Sequence, residues 1–324
     1  TPTVIAGDKS LTSLVAHELA HSWSGNLVTN ATWNDFWLNE GFTVYFEMRI
    51  MEALYGKEHA DMLALISRQD LDDELENQKN TPEATKLKIN LKGQNPDDGM
   101  NSIAYDKGYL FLRTLEEKVG REKFDNFIKT YFKENEFSTM TTERFVDYLN
   151  VNLLEKSNIT FNTDEWIYKA GIPDNQTIIT SDKFKDVEKI FQDFIKTGNF
   201  DKAVTKDWTP QEWVHFIRNF PKTMTAAQMQ VLDNSLDLSN SKNSYIQMVW
   251  YEQALNHDYH GNNVDAATEE FLTHVGRRWY VETLFKAYKR NNKLEQALKV
   301  YEKARPNYHS VTVKTIDELL GQRK

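Results

Sequence analysis

The sequence of 324 residues contains no cysteine, only 7 prolines and no long apolar run. Without cysteine, the chain has neither a disulfide framework nor a thiol nucleophile. No apolar segment approaches the roughly 18 residues that a membrane-spanning helix needs, and no signal peptide is visible. We therefore expect no membrane partner, and a cytoplasmic location is favoured.

Two further classes of function lack their sequence signals. The chain has 39 Lys and Arg residues against 48 Asp and Glu residues, which gives a formal net charge of −9. It therefore lacks the excess positive charge of a general nucleic-acid binder, and we expect no nucleic-acid partner. The sequence also contains neither a Gly-rich phosphate loop nor a Gly-x-Ser-x-Gly nucleophile motif.

Length and composition favour two helical domains. A content of 40% hydrophobic and 12% aromatic residues is ordinary for a globular protein, and the length suits two domains. Gly-Ile-Pro at 171–173, followed by a polar stretch, marks a boundary. We expect a catalytic domain at 1–173, a linker at 174–182 and an α-helical domain at 183–324, in a fold that is mainly α.

Apolar spacing predicts most of the helices. The run 209–212 reads Thr-Pro-Gln-Glu, with a capping Thr, Pro at the first helical position and Glu three residues after the cap, which predicts a helix start. The other predicted helical segments are 60–79, 103–119, 122–134, 142–154, 225–235, 244–255, 264–273, 281–289 and 293–301. An irregular loop is predicted at 29–37 and a functional loop at 80–102.

The strongest signal is the run 17–21, which reads His-Glu-Leu-Ala-His and has the zinc-protease form His-Glu-x-x-His. Positions i and i+4 share one face of a helix, so His17 and His21 can direct their imidazoles at one point. Catalytic zinc sites use three protein ligands and keep a position free for water. Glu40 is the expected third ligand, and Glu18 is the expected general base for the zinc-bound water.

The surroundings of this motif favour a zinc site over its simpler alternative, a chance match on the polar face of an amphipathic helix. Asp8 or Ser10 can cap the start of the helix, and Gly25 with the following Asn supplies a stop. A second apolar segment at 42–54 carries Glu47, seven residues after Glu40 and on the same helical face. Because ligand histidines usually donate their second ring N–H to a carboxylate or carbonyl, Glu47 is predicted to orient a ligand.

Two longer runs give a more specific resemblance. Residues 17–30 read His-Glu-Leu-Ala-His-Ser-Trp-Ser-Gly-Asn-Leu-Val-Thr-Asn, and residues 33–41 read Trp-Asn-Asp-Phe-Trp-Leu-Asn-Glu-Gly. Both resemble the gluzincin zinc aminopeptidases, in particular the branch with leukotriene A4 hydrolase and aminopeptidase B. The resemblance implies the helical part of a thermolysin-like zinc peptidase domain, then an α-helical solenoid-like domain. It also implies one zinc ion and removal of N-terminal residues from short peptides.

The resemblance assigns roles to two residues of the first domain. Tyr105 begins the run Tyr-Asp-Lys-Gly, which is similar to the family's Tyr-x-Lys-Gly element, whose Tyr hydroxyl binds the oxyanion of the tetrahedral intermediate. Without that match it would be one of 14 tyrosines and a packing residue. Asp97 takes the place of an acid that contacts the first residues of the peptide, or it is a turn residue after Pro96.

A further role falls in the C-terminal half. The run 276–279 reads Gly-Arg-Arg-Trp and is similar to a Gly-Arg element whose Arg binds the carboxylate end of a short peptide. Arg277 takes that place, and a guanidinium suits bidentate pairing with a carboxylate. The branch has a Lys where this chain has Trp279, so the preference for a tripeptide carboxylate is expected to be relaxed. Arg278 is equally well read as a surface residue.

Two departures from the family's pattern keep other functions open. Met100 replaces a second pocket tyrosine, which argues against lipid-epoxide hydrolysis. The Gly-x-Met-Glu-Asn stretch, whose Glu anchors the substrate's free amine, does not occur in these 324 residues. We expect a missing N-terminal portion of the same protein to complete the site. The alternatives to a zinc aminopeptidase are a zinc endopeptidase, a bifunctional epoxide hydrolase and a non-catalytic truncated fragment.

Overall fold

The computed structural model of the chain describes residues 10–94 and 101–322. Over these residues the fold is mainly α, which confirms the predicted fold class. Every helix in the described ranges is too short or too polar to traverse a bilayer. The chain divides into two compact units, one of Thr12–Ser181 and one made up mainly of 182–322.

The first unit contains eight α-helices and two strands within its described residues. The helices are α1 (Thr12–Ala20), α2 (Trp37–Tyr55), α3 (Lys57–Asn77), α4 (Gly108–Val119), α5 (Arg121–Glu134), α6 (Thr142–Leu149), α7 (Glu155–Ser157) and α8 (Thr163–Ile167). The strands β1 (Val28–Asn30) and β2 (Ser138–Met140) pair in parallel, with Val28 opposite Ser138. Two π-helical turns, Ile103–Lys107 and Asn150–Leu154, lead directly into α4 and α7.

An aromatic core fixes α2 in the first unit. Trp37 and Phe42 of α2 are fully buried. Trp37 meets Phe111 of α4 edge-to-face at 5.6 Å, and Phe42 meets Phe145 of α6 at 5.4 Å. Burying a Phe side chain contributes about 1.5–3 kcal/mol relative to leaving it exposed. Helix α2 is therefore held on both sides before any polar contact of the site is considered.

The segment 174–181, within the predicted linker, packs on the first unit. The backbone N–H of Thr177 donates to the Thr114 hydroxyl at 3.1 Å, and the Trp166 indole N–H donates to the Asn175 side chain at 3.0 Å. Ile179 packs against the hydrophobic core of this unit. In the structure, the chain passes to the second unit between residues 181 and 182.

The second unit is built from helices joined by short loops. Its helices are α9 (Asp182–Thr197), α10 (Pro210–Arg218), α11 (Ala226–Leu236), α12 (Ser244–Asn256), α13 (Val264–His274), α14 (Arg278–Arg290), α15 (Leu294–Ala304) and α16 (Ser310–Leu320). Helices α10, α12, α14 and α16 pack in succession, and α13 packs on α15. This alternation is the arrangement of a solenoid of helix pairs. Phe191, Phe216, Phe220 and Trp250 form part of its aromatic core.

The predicted segments agree with the structure where local signals are strong. Helix α10 begins with a capping box, in which the Thr209 hydroxyl accepts from the backbone N–H of Glu212 and the Glu212 carboxylate accepts from that of Thr209. Helices α7, α8, α9 and α16 lie outside the predictions, and so does the β1–β2 pair, whose first strand overlaps the predicted irregular loop at 29–37. Helix α1, which carries His17, ends at Ala20, earlier than the predicted stop at Gly25.

Candidate metal centre

Helix α1 presents the two histidines of the His-Glu-x-x-His run on one side. His17 lies within α1, and the backbone N–H of His21 still donates to the His17 carbonyl at 3.2 Å. The i, i+4 relation therefore persists through the end of the helix. The two imidazole rings are 4.9 Å apart and meet edge-to-face at 86°.

Glu40, in the first turn of α2, completes the cluster. Its Oε2 atom lies 3.2 Å from Nε2 of His17 and 3.7 Å from Nε2 of His21. The three potential ligand atoms all lie within 4.8 Å of one another. Within 10–94 and 101–322, this is the one group of three or more His, Asp or Glu side chains that could hold a metal ion.

A zinc ion fits this cluster on the evidence of the Glu40 carboxylate. Glu40 is only 6% exposed, and its Oε2 atom has no hydrogen-bond partner among the described residues. A buried charged oxygen without such a partner is costly, and a bound cation would supply the missing interaction. Two His nitrogens and one Glu oxygen form a ligand set found in catalytic zinc sites.

The other ring nitrogen of each histidine is held by a polar partner. His17 Nδ1 lies 3.1 Å from the Glu47 carboxylate, seven residues after Glu40 in α2. His21 Nδ1 lies 3.0 Å from the Ser24 carbonyl and 3.1 Å from the Asn39 side-chain oxygen. These contacts place the proton on Nδ1 of each neutral ring, so that both Nε2 atoms are left to act as metal ligands.

The Glu40 and Glu47 carboxylates stabilise the protonated form of His17 when no metal ion is bound. Burial alone would lower the pKa of His17, but the adjacent carboxylates of Glu40 and Glu47 overcome this effect and raise the pKa to about 10. The two carboxylates therefore favour positive charge at this point. A cation at the centre of the site satisfies the same groups that otherwise hold the proton.

Tyr105 lies beside the cluster, and Glu18 adjoins the potential ligand His17 in sequence. The Glu18 side chain is exposed on α1. The Tyr105 ring stacks on His17 at 6.1 Å and meets Phe36 edge-to-face at 6.0 Å. Burial, then the charge and hydrogen bond of Glu40, and more weakly the charge of Glu18, raise the pKa of Tyr105. Its hydroxyl therefore stays protonated near neutral pH and can donate a hydrogen bond.

A glycine pair brings Tyr105 and Glu40 together. Gly41 directly follows Glu40 in α2, and Gly108 directly follows the π-helical turn that carries Tyr105. A Cβ atom on Gly108 would lie 2.8 Å from the Cα atom of Gly41, and one on Gly41 would lie 2.9 Å from that of Gly108. Only residues without a side chain allow this backbone approach, which fixes the distance between the two elements.

The π-helical turn that carries Tyr105 is anchored by Asp106 and Lys107, the two residues that follow the tyrosine. Lys107 is fully buried and donates to the carbonyls of Thr85 and Lys169 at 2.8 and 3.0 Å. Burial lowers the pKa of Lys107 to about 7. Asp106 accepts from the Ser67 hydroxyl at 2.5 Å, and burial raises its pKa to about 8. These contacts explain how a π-helical turn persists, an irregularity that often occurs at functional sites.

Sequence reasoning missed the residues that orient His21. Asn39 contacts His21 Nδ1, and the Thr43 hydroxyl lies 3.3 Å from the same atom. Gly25 has a φ of +112°, and a Cβ atom there would lie 2.8 Å from the Asn39 side-chain oxygen. The available signal was the spacing of Asn39, Thr43 and Glu47, which puts three polar side chains at i, i+4 and i+8 of a mostly apolar helix.

Asp97, Met100 and Arg277 are the remaining residues that the sequence analysis singled out. Asp97 and Met100 lie outside the described residues, so their predicted roles stay predictions. Arg277 immediately precedes α14 of the second unit, over the rings of Trp279 and Tyr280 at 5.8 and 5.2 Å. Its Nη1 atom is buried and has no hydrogen-bond partner within the described ranges.

Comparison with known proteins finds a matching protein family for each half of the chain. Residues 3–166 match the peptidase family M1 domain, and residues 208–320 match the leukotriene A4 hydrolase C-terminal domain. Leucine aminopeptidase 2 of Ajellomyces capsulatus is 33% identical, over 96% of this chain and 51% of that protein. A leukotriene A-4 hydrolase homolog of Botryotinia fuckeliana is 34% identical, over 96% of this chain and 49% of that protein.

The solved structures give the same result. Yeast LTA4 hydrolase in complex with bestatin superposes with a TM-score of 0.86 and 28% identity, over 99% of this chain and 55% of that one. The chain thus spans about half the length of the curated relatives that it matches. Because the family M1 domain covers half of the chain and includes the described His17, His21 and Glu40 cluster, the chain belongs to peptidase family M1.

Proposed function

We propose that this chain carries the catalytic centre of a zinc-dependent aminopeptidase that removes N-terminal residues from short peptides. The observation that carries the proposal is the convergence of His17 Nε2, His21 Nε2 and Glu40 Oε2, with the far nitrogen of each ring already engaged. Relatives named leucine aminopeptidase 2 support peptides as the substrate class.

His17, His21 and Glu40 would hold the zinc ion. When bound, zinc polarises the scissile carbonyl and makes water a nucleophile at neutral pH. Glu18 then accepts the proton of the attacking water and returns it to the leaving amine, because it is an exposed carboxylate adjacent in sequence to a ligand. Tyr105 donates a hydrogen bond from its hydroxyl to the developing oxyanion and keeps its proton, in line with its raised pKa.

Two substrate contacts complete the proposal. Asp97 would line the pocket for the first residues of the peptide, and Arg277 would bind its carboxylate end, as the family resemblance implies. The stretch that anchors the amine in the family is not among these 324 residues. Zinc binding and peptide turnover therefore have to be measured separately.

The first experiment measures zinc content and hydrolysis of aminoacyl chromogenic amides by this chain and by Glu18→Gln. We expect one zinc per chain in both proteins, and turnover only with Glu18 present. Zinc without turnover would indicate a metal site in a non-catalytic chain. No bound zinc would overturn the proposal.

A second substrate pair separates an aminopeptidase from an endopeptidase. Hydrolysis of a short peptide is compared with that of the same peptide acetylated at its N-terminus. We expect acetylation to abolish cleavage of the first peptide bond. Equal cleavage of both peptides would assign the site to an endopeptidase.

A further inference from the structure

The first unit contains a cavity of about 110 Å³ between α3, α4 and the segment 177–179. Within the described residues, none of its lining belongs to the metal cluster. Most of the lining is apolar and includes Leu71, Leu110 and Ile179. Ile178 also lines the cavity and is 79% exposed, so the cavity reaches the surface there and a ligand has a route of entry.

Asp106 is the acidic residue of this lining. Its carboxylate accepts from the Ser67 hydroxyl at 2.5 Å and from Ser102, and both of these partners are neutral. The charged groups that act most strongly on Asp106, Asp70 and Glu47, are carboxylates as well. Burial is the larger cause, and together these effects raise the pKa of Asp106 to about 8. A cation in the cavity would stabilise the ionised form.

Arg68 also lines the cavity, but its guanidinium is bound to other partners. Its Nε atom donates to the Asp72 carboxylate at 2.9 Å, and its Nη1 atom donates to the Gln176 side chain. The positive charge of Arg68 is therefore balanced by Asp72 rather than by Asp106.

The size and the lining of the cavity restrict the kind of cation. An apolar protein cavity of about 150 Å³ holds benzene, so one of about 110 Å³ suits a ligand of roughly four or five heavy atoms. A metal ion such as Ca²⁺ needs six or more oxygen ligands, which a mostly apolar lining does not offer. A primary ammonium group has three donors for a carboxylate, and a short alkyl chain attached to it can pack against apolar side chains.

We propose that this cavity is a binding site for a small primary ammonium ion with a branched alkyl chain, and that Asp106 is its counter-ion. The ammonium group donates to the Asp106 carboxylate, and the alkyl chain packs against Leu71, Leu110 and Ile179. Binding requires neither zinc nor turnover, so the inference can be tested separately from the proposed function.

The test compares isobutylammonium with isobutanol, which share one alkyl chain and differ in charge. Calorimetric titration of the full chain at pH 9 leaves the ligand protonated and Asp106, with its pKa of about 8, mostly ionised. We expect a dissociation constant on the order of 1 mM for the ammonium ion, as suits so small a ligand. The alcohol should bind at least about 10-fold more weakly, the usual value of one hydrogen bond between charged groups.

Four variants locate the site. Asp106→Asn keeps the size of the side chain and removes its charge, so affinity for isobutylammonium should fall by about 10-fold while that for isobutanol stays the same. Ala64→Leu puts a larger side chain into the lining and should abolish binding of both ligands. Asp73→Asn removes an exposed carboxylate of α3 outside the lining, and Glu40→Gln alters the metal centre; both should leave the two affinities unchanged. Thermal unfolding of each variant identifies any general loss of structure.

Several outcomes would overturn the proposal. Binding that persists in Asp106→Asn and Ala64→Leu but is lost in Glu40→Gln would place the ammonium ion at the metal centre. Equal affinity for isobutylammonium and isobutanol would leave Asp106 without a role in recognition, and no binding of either would mean that the cavity holds only water. A chain that hydrolyses no peptide but binds isobutylammonium in an Asp106-dependent way would reject the proposed function and keep this inference.

Discussion

Glu40 in the first unit and Arg277 in the second each bury a charged atom that has no hydrogen-bond partner among the described residues. The two atoms have opposite charge and different surroundings. Glu40 faces two imidazoles whose far nitrogens are engaged by polar groups, whereas Arg277 lies over ring faces. A metal ion needs ligands aimed at one point, so their orientation is fixed by directional bonds. The carboxylate that we propose as the partner of Arg277 needs mainly fixed positive charge, for which contact with ring faces suffices.

The largest expected effect is at Glu40. Glu40→Gln removes the charged ligand atom. We expect zinc affinity to fall by more than about 100-fold, which is the upper end of the loss seen when a residue that only orients a ligand is removed. Turnover should be lost with the zinc. A competition titration against a chromophoric chelator measures the change. Arg277→Gln is the matched variant in the other unit, and it should leave zinc affinity unaltered; a similar loss there would mean that removing a buried charge, rather than a ligand, is what weakens zinc binding.

Tyr105→Phe separates the chemistry of the first unit from its metal binding. The variant keeps the ring that stacks on His17 and removes only the hydroxyl. We expect kcat to fall by about 100- to 1000-fold, the usual cost of one lost oxyanion donor, while zinc affinity stays the same. Rate measurements at saturating peptide, with zinc content determined on the same sample, test this. An unchanged kcat would make Tyr105 a packing residue.

The sequence predicts those parts of the site that depend on helical spacing. The i, i+4 histidines and the seven-residue spacing of Glu40 and Glu47 place side chains on one face of a helix without reference to the rest of the chain. The capping box at Thr209 is equally local and is confirmed. Helical spacing of apolar residues also predicts the fold class, because most of the described chain is helical.

Contacts between distant segments could not be predicted in this way. The approach of Gly41 to Gly108 joins residues far apart in sequence, and neither glycine has a φ in the left-handed region that a turn motif would require. The position of Arg218 over Trp279 likewise depends on how α10, α12 and α14 pack. Local sequence patterns do not specify contacts between distant segments, so these pairings are visible only in the structure.

Glu47 tests whether orientation matters at the metal site. Among the described residues it supplies the carboxylate that contacts His17 Nδ1, at 3.1 Å. We expect Glu47→Ala to lower zinc affinity by about 10- to 100-fold, as for other partners of ligand histidines. Glu47→Gln retains an acceptor oxygen and should lose less. Equal losses in the two variants would mean that charge, rather than the hydrogen bond, is what Glu47 contributes.

The smallest effect is expected at Asn39, because His21 Nδ1 has more than one polar neighbour. Asn39→Ala removes the amide oxygen at 3.1 Å, but the Ser24 carbonyl remains at 3.0 Å and can accept the same N–H. Zinc affinity should therefore fall by less than about 10-fold, the lower end of the range for such partners. The same chelator titration gives this value beside that of Glu47→Ala. If Asn39→Ala weakens zinc binding more than Glu47→Ala does, the number of remaining acceptors does not govern ligand orientation, and the Ser24 carbonyl cannot hold His21 in place by itself.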